Sequence, residues 1–311
     1  MHLEMEKSLK LKKIVPTGKM KGGHFFNSYE FLNLKSFQTE GWQLIRERPI
    51  AQIFFSIEGK KAVSGRQATF GSIDLDESVS KEEMDWFINA FVKELEGNLI
   101  EEIEIRHYPS YFKKAELVQA SLLSNSFKLS VNEVDQFIRV DKRSFYEVAR
   151  KDEVSRADKC KKAGLQFEIA PVAKLPEIYS LVESTLLRNG HKASMSFEDL
   201  KKAVYSCPEN YILFALWDTD ILAAAAVSVV LSDTVLYNFY HADNVVYRSK
   251  SAMTYLLKNI YEYCQSNRFR ILDLGISTEN GELNRGLFNF KKQRGAVSCS
   301  KSTFNLLFNN L

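Results

Sequence analysis

Near the end of the chain, Leu272-Asp273-Leu274-Gly275-Ile276-Ser277 is followed by Gly286-Leu287-Phe288-Asn289-Phe290-Lys291-Lys292-Gln293-Arg294-Gly295-Ala296. The first run spells a buried strand that ends in glycine, and the second a helix that ends in cations. A strand ending beside a splayed neighbour opens a crevice at the strand carboxyl ends, where α/β proteins bind ligands. Lys291 has a long stem that can lie on Phe290 or Phe288 while its ammonium neutralises a carboxylate or a developing oxyanion. The alternative is a solvated lysine that stabilises the helix end through the dipole. His241 closes Tyr237-Asn238-Phe239-Tyr240-His241, and its imidazole can deprotonate an amine near neutral pH. The alternative is a structural histidine at a strand end. Alternation puts Tyr237, Phe239 and His241 on one face and Asn238 and Tyr240 on the other. Tyr240 is a second candidate, as an acid or a substrate contact, against a plain core tyrosine.

A different chemistry is suggested by Asp243-Asn244-Val245-Val246-Tyr247-Arg248-Ser249-Lys250-Ser251-Ala252, where a strand meets a helix. Unpaired amides and the helix dipole favour an anion at such a junction. Arg248 and Lys250 add positive charge, and Ser249, Ser251 and Ala252 would contribute the surrounding backbone. The competing reading is a capped helix with Ser249 as its cap.

These residues need a frame, and hydrophobic period supplies one. Strands are predicted at Ala51 to Ile57, at Ala62-Val63, and from Gln67 to Ile73. A helix follows, opened by the capping box of Ser80 and Glu83 and faced by Met84, Phe87, Ile88, Phe91, Val92 and Leu95. Ile103 and Ile105 mark a strand, 112–124 a helix and 127–140 an extended segment. The second half repeats the order. Strands at Tyr211 to Trp217, Ile221 to Leu231 and Val235 to His241 precede a helix with Ala252, Met253, Leu256, Leu257 and Ile260 on one face. A strand at Ile271 to Leu274, a helix over 283–292 and a last strand at Val297 to Phe304 complete it. Between the halves lies a basic segment, Phe145 to Lys162. It leads through a strand at Leu165 to Ala170 into helices at 175–187 and from Ser196. The expected division is a loose lead-in at 1–20, one lobe over 21–144, and a basic linking helix with a second lobe over 145–311. The fold class is α/β with mixed sheets.

Composition narrows the partners. Of 311 residues, 45% are hydrophobic and 26% charged, an ordinary globular mix. A net charge of +3 and a pI near 8.5 are too mild for the basic stripe that nucleic-acid binding needs. Cys160, Cys207, Cys264 and Cys299 form no CxxC pair, so no metal or redox motif is indicated. Isolated thiols suit a reducing cytosol. The start carries acids and no apolar run, unlike a signal peptide. Ile221 to Leu231 is too short to span a bilayer, so a cytoplasmic location is expected.

The order β–β–β–α–β–α–β in each half resembles the GNAT acyltransferase superfamily. The strand ending in Gly275 and the "GL..FK...G" pattern of Gly286, Leu287, Phe290, Lys291 and Gly295 resemble its tandem, Fem-like branch of aminoacyltransferases. The resemblance implies two GNAT-like lobes in tandem and an N-acyltransferase or aminoacyltransferase. It implies transfer from an activated, acyl-CoA-like donor to a small or peptide-like amine acceptor in an interlobe cleft, with no metal. It places the donor pyrophosphate at Arg248, Ser249, Lys250, Ser251 and Ala252, although Ser251 and Met253 stand where the family carries glycines. It places Lys291, with Phe290 beside it, in the reaction. Ser64 to Ser72 resembles the first lobe of the same relatives. Arg66 is then expected to bind an acidic substrate bidentately, or else to be a turn residue. Tyr108 and Tyr111 are expected to line the cleft, or to be packing under a loop. No long charged coiled-coil arm is apparent, which removes a feature that some members associate with tRNA substrates; a tRNA donor stays open. The other reading is a GNAT-like protein that binds a ligand or partner without catalysis.

Overall fold

The computed structural model describes residues 9–16, 20–34, 37–66, 68–279 and 281–308. The opening residues of the chain and Gln67 lie outside them. In chain order the elements are β1 (Lys10–Ile14), α1 (Tyr29–Leu32), β2 (Thr39–Arg46), β3 (Arg48–Glu58), β4 (Lys61–Ser64), β5 (Asp74–Leu75), α2 (Lys81–Gly97), β6 (Glu102–Arg106), α3 (Ala115–Ser124) and β7 (Lys128–Arg139). Then come α4 (Phe145–Val148), α5 (Lys151–Lys162), β8 (Gln166–Ile169), α6 (Leu175–Arg188), α7 (Phe197–Ser206), β9 (Tyr211–Asp218), β10 (Ile221–Ser232) and β11 (Val235–Asp243). The chain closes with α8 (Ala252–Ser266), β12 (Ile271–Ile276), β13 (Thr278–Glu279), β14 (Glu282–Leu283), α9 (Arg285–Gln293) and β15 (Val297–Leu307).

The chain forms two compact units, 1–134 with 299–311, and 135–298. In the first, β1, β2, β3 and β4 form an antiparallel meander and β6 joins β4 in parallel. In the second, β8, β9, β10 and β11 form the meander and β12 joins β11 in parallel. Each unit then adds an antiparallel strand from a distant part of the sequence. The first takes β15 beside β6, and the second takes residues 135–139 of β7 beside β12. The repeated order is therefore real. The contiguous division at 144/145 is not how the chain partitions, because strand pairing ignores sequence proximity. Two further expectations are corrected. The lead-in is not loose throughout: Lys10–Ile14 pairs along β2. Among the described residues, 68–73 form no strand, and Asp74–Leu75 pairs with β3.

Local chemistry explains why the helices begin where they do. At α2, Ser80 Oγ accepts from the Glu83 amide at 3.2 Å, and Glu83 returns a carboxylate to the Ser80 amide at 2.9 Å. Its buried face is Met84, Phe87, Ile88, Phe91 and Leu95. Ser196 caps α7 through the Asp199 amide at 3.1 Å, and Asn284 caps α9 through the Leu287 amide at 3.0 Å. Among the described residues, no helix is long and apolar enough to cross a membrane, and no group of His, Cys, Asp and Glu could hold a metal ion.

The first unit closes its core with buried polar bonds. His107 Nε2 donates to the Ala115 carbonyl at 3.0 Å, so its Nδ1 accepts from Ser72 Oγ at 2.7 Å. Ser72 has a φ of 76°, a left-handed backbone that a serine holds only when its surroundings impose it. Burial, aided by the nearby His24, pushes the His107 pKa from 6.5 to about 4. The unfolded chain therefore binds a proton below 6.5 that the folded chain refuses until about 4. His107 adds stability above pH 6.5, and that contribution drains away as pH falls through this window. The expected loss is on the order of 3 kcal/mol. Urea unfolding of His107→Gln across pH 7 to 4 should start lower but fall less steeply than the native chain; parallel curves would refute this account.

Candidate functional site

The site is built where two parallel strands part. β11 and β12 pair only at Val235↔Ile271, Leu236↔Leu272 and Tyr237↔Asp273. Beyond that point both strands continue unpaired to each other. Two local features drive the divergence. β11 carries a bulge, since Val227 faces Tyr240 and Ser228 faces Asn238, leaving Phe239 without a partner in the ladder. β12 bends at Gly275, whose φ is 73°, a conformation glycine adopts without penalty. The Gly275 amide donates to Asp273 Oδ1 at 2.7 Å, and a Cβ there would only touch the Tyr237 ring at 3.4 Å, so the constraint on this position is its backbone.

The bulge also corrects the predicted faces. Strict alternation separates Phe239 from Tyr240, but a bulge inserts one residue and shifts the period. The two rings lie 4.1 Å apart between centroids. Tyr240 is buried, and its hydroxyl accepts from the Met195 amide at 3.0 Å and shares a hydrogen bond with Ser194 at 2.8 Å. It ties down the segment between α6 and α7, and Tyr179 holds the Met195 carbonyl at 2.8 Å.

Lys291 occupies the end of the opening. It is 2% exposed, and it is the one residue of α9 that is fully buried; Leu287, Phe288 and Phe290 are only half-buried. Its ammonium donates to the carbonyls of Gly275 and Ile276, both at 2.7 Å. Removal from water lowers its pKa from 10.5 to about 8, against the opposing pull of Asp135 and Asp273. Those carboxylates are buried. Gln136 and Ser277, bonded to each other at 2.6 Å, line the same end of β12, and Gln136 also donates to the Phe288 carbonyl at 3.3 Å.

His241 lies on the β11 side. Its ring runs parallel to that of Phe290, with 6.5 Å between centroids. The residue is half-buried, but Nδ1 is sealed from solvent with no hydrogen-bond partner among the described residues. Burial first, and then the Lys291 cation, push its pKa down to about 4. It is therefore a neutral base at physiological pH. Phe290 is covered on a face by Arg294, whose guanidinium carbon is 3.6 Å from the ring centroid.

The turn before α8 differs from its expected form. The helix is capped at Ser251, with a φ of 58°, and not at Ser249. Ser251 keeps the left-handed backbone that a glycine would take. However, the amides of Arg248, Lys250 and Ser251 donate to the carbonyls of Val245, Tyr247 and Arg248 within the turn. Arg248 pairs with Asp243 at 2.8 Å and Lys250 with Asp218 at 3.3 Å. Cys160 Sγ donates to the Lys250 carbonyl at 2.5 Å from behind. Ala252, in the first turn of α8, keeps an amide with no intrahelical acceptor.

The first-unit candidates do not gather around comparable chemistry. Tyr108 is buried and donates to the Ile73 carbonyl at 3.2 Å. Tyr111 stacks on Phe112 at 4.9 Å. Arg66 pairs with Glu58 at 2.5 Å at the edge of a small hollow lined by Phe26, Phe31 and Phe54. The structure thus brings together Lys291, His241 and Phe290, and leaves Tyr240 behind the bulge. Sequence reading missed Asp135, Gln136, Asp273 and Arg294. Asp273 carries a usable signal, a carboxylate in an otherwise apolar strand, which is rarely buried without a task.

No sequence family matches the chain, and no curated protein matches it. Solved structures do. FemX matches with a TM-score of 0.76 and 14% identity over 96% of this chain and 98% of its own. L-PGS from Bacillus licheniformis matches with a TM-score of 0.58 and 11% identity over 84% and 82%. A tandem GNAT protein from the clavulanic acid biosynthesis pathway matches at 0.50 and 10% over 88% and 83%. The chain has a GNAT-like fold of the Fem type.

The last glycine of the motif has a packing reason. Gly295 has a φ of 88°, and a Cβ there would come within 2.4 Å of Val148 Cγ1 and 2.8 Å of its carbonyl oxygen. Gly295→Ala should cost roughly 2 kcal/mol or more, since strain and overlap add. A thermal melt unchanged within about 1 °C would show that the α4–α9 contact yields more easily than this geometry implies.

Proposed function

We propose that this protein transfers an acyl or aminoacyl group from an activated ester or thioester to an amine, at the parting of β11 and β12. The observation that carries the reading is the Lys291 ammonium, buried at the end of β12 and oriented by two carbonyls. An ammonium has three N–H groups, so a third remains to meet a carbonyl oxygen of the donor. Attack by the amine forms the C–N bond and moves the carbonyl electron pair onto oxygen, where Lys291 stabilises it. The half-buried His241 imidazole receives the proton lost by the amine. Collapse of the intermediate expels the thiolate or alkoxide, which takes that proton. Phe290 walls the imidazole and keeps it dry.

Support for the acyl donor is general rather than specific. The fold is that of FemX and of GNAT proteins. For acyl-CoA, the turn at 248–252 would have to bind the pyrophosphate with Ala252 and its neighbours, because three of its amides and both of its cations already have partners. That occupancy also favours the second reading, a ligand-binding protein without turnover. It leaves an aminoacyl-tRNA as the alternative donor. Thermal shift against acyl-CoA and aminoacyl-tRNA panels separates the cases; a ligand at a hundred times its Kd adds about 2.7 kcal/mol.

Two results are expected with a working donor. Lys291→Met should lower turnover by roughly 10²–10³, or about 2.7–4 kcal/mol of transition-state stabilisation. The pH profile should follow both groups. His241 acts only when neutral, above about 4, and Lys291 only when charged, below about 8. Activity should therefore plateau between these values, and Lys291→Arg should move the alkaline limb upward. Full turnover by Lys291→Met would remove the lysine from the mechanism.

A further inference from the structure

α9 has an unusual problem. It is a nine-residue helix whose most buried side chain is a charged one. An amphipathic helix normally has its roll set by an apolar seam packed into the core. Here the apolar residues are half-buried, and a small rotation would carry the Lys291 ammonium away from the two carbonyls it serves. Something polar must hold the helix instead.

Arg294 stands one turn beyond Lys291 and is 6% exposed. Its Nη1 donates to the Phe290 carbonyl at 2.7 Å. Its Nε and Nη2 donate to Thr254 Oγ1 in α8 at 3.1 and 2.7 Å. Its Nη2 also meets Glu153 Oε2 in α5 at 2.8 Å. Glu153 is fully buried. Thr254 donates its own hydroxyl to the same Glu153 oxygen at 2.8 Å, and Arg156 holds the other oxygen. The face of the guanidinium covers Phe290. One planar group therefore joins three helices and clamps the residue adjacent to Lys291. A lysine could carry the charge but not this fork. A second strut, the Arg150 amide donating to the Gln293 carbonyl at 2.9 Å, fixes the end of α9 to the start of α5.

We infer that Arg294 is a positioning residue, which with Glu153 and Thr254 fixes the roll of α9 and so places the Lys291 ammonium against the Gly275 and Ile276 carbonyls. Its functional weight rests on the proposed role of Lys291, but the placement itself can be read without any substrate.

The test follows the Lys291 ammonium by NMR in the full chain labelled with 15Nζ-lysine, assigned through Lys291→Met. In the native protein its protons should exchange slowly, since they are buried and hydrogen-bonded. Arg294→Met should accelerate that exchange roughly tenfold or more, because local opening sets the protection. Arg294→Lys and Glu153→Gln should act in the same direction, and they carry the test if Arg294→Met does not fold. Ile178→Val, in α6 of the same unit, supplies a control for general loosening and should leave the signal in place. A native-like Lys291 signal in folded Arg294→Lys and Glu153→Gln would overturn the inference, as would an equal effect in Ile178→Val. Full turnover by Lys291→Met would sink the catalytic role of the lysine and leave this placement untouched.

Discussion

A single buried ammonium organises the second unit. Placing the charge of Lys291 out of water is unfavourable by several kcal/mol unless the lost hydration is replaced. The replacement comes from two main-chain carbonyls at the end of β12, with Asp135 and Asp273 supplying negative potential. Those carbonyls lie where β12 has parted from β11 after Asp273 and turned at Gly275, with a register shift against β7 before Ile276. Had the parallel pairing continued, the carbonyls would have been drawn into the sheet. The charge and the divergence of the strands therefore depend on one another.

Around this charge the neighbouring groups have graded electrostatic tasks. Lys291 and Arg294 both bear on His241 and help burial to keep the ring neutral. Arg294 is itself pushed down to about 10 by burial while Glu153 pulls the other way. Cations surround an imidazole whose Nδ1 is sealed from solvent, an arrangement that costs stability and is found where perturbed groups do chemistry. The same unit contains an apolar core of Phe145, Leu216, Leu256, Ile260 and Leu272, which gives the polar cluster a rigid support.

The two units share a topology but not a site. In the first, the corresponding strand, β6, is paired to β4 as far as Ser64↔Ile105 and is followed by His107, which bonds Ser72 and the Ala115 carbonyl. Its histidine is satisfied on both nitrogens. In the second, the strand end holds a lysine and faces a histidine with a bare Nδ1. The strand end at His107 thus has closed polar bonds and the one facing His241 does not, and fold alone does not carry an activity.

Much of this was legible in the residues. Period and capping chemistry are local, so the α2 capping box, the strands from Tyr211 to His241 and the helix carrying Lys291 could be read directly from neighbours within a turn or two. The GL..FK...G pattern likewise marked the right helix. What sequence could not decide was nonlocal. Pairing of β15 with β6, and of β7 with β12, joins residues far apart in the chain, and no local signal records a distant partner. The Phe239 bulge is set by register against β10, so alternation assigned Tyr240 to the wrong surroundings. The capping serine moved from 249 to 251 because Cys160, Asp218 and Asp243 hold the turn from outside it. Above all, the sequence left Lys291 open between a solvated helix end and a charge in a cleft. Only the approach of Gly275 and Ile276, with Arg294 anchored to Glu153 and Thr254, makes it the most buried residue of its helix, because burial is a property of what surrounds a side chain.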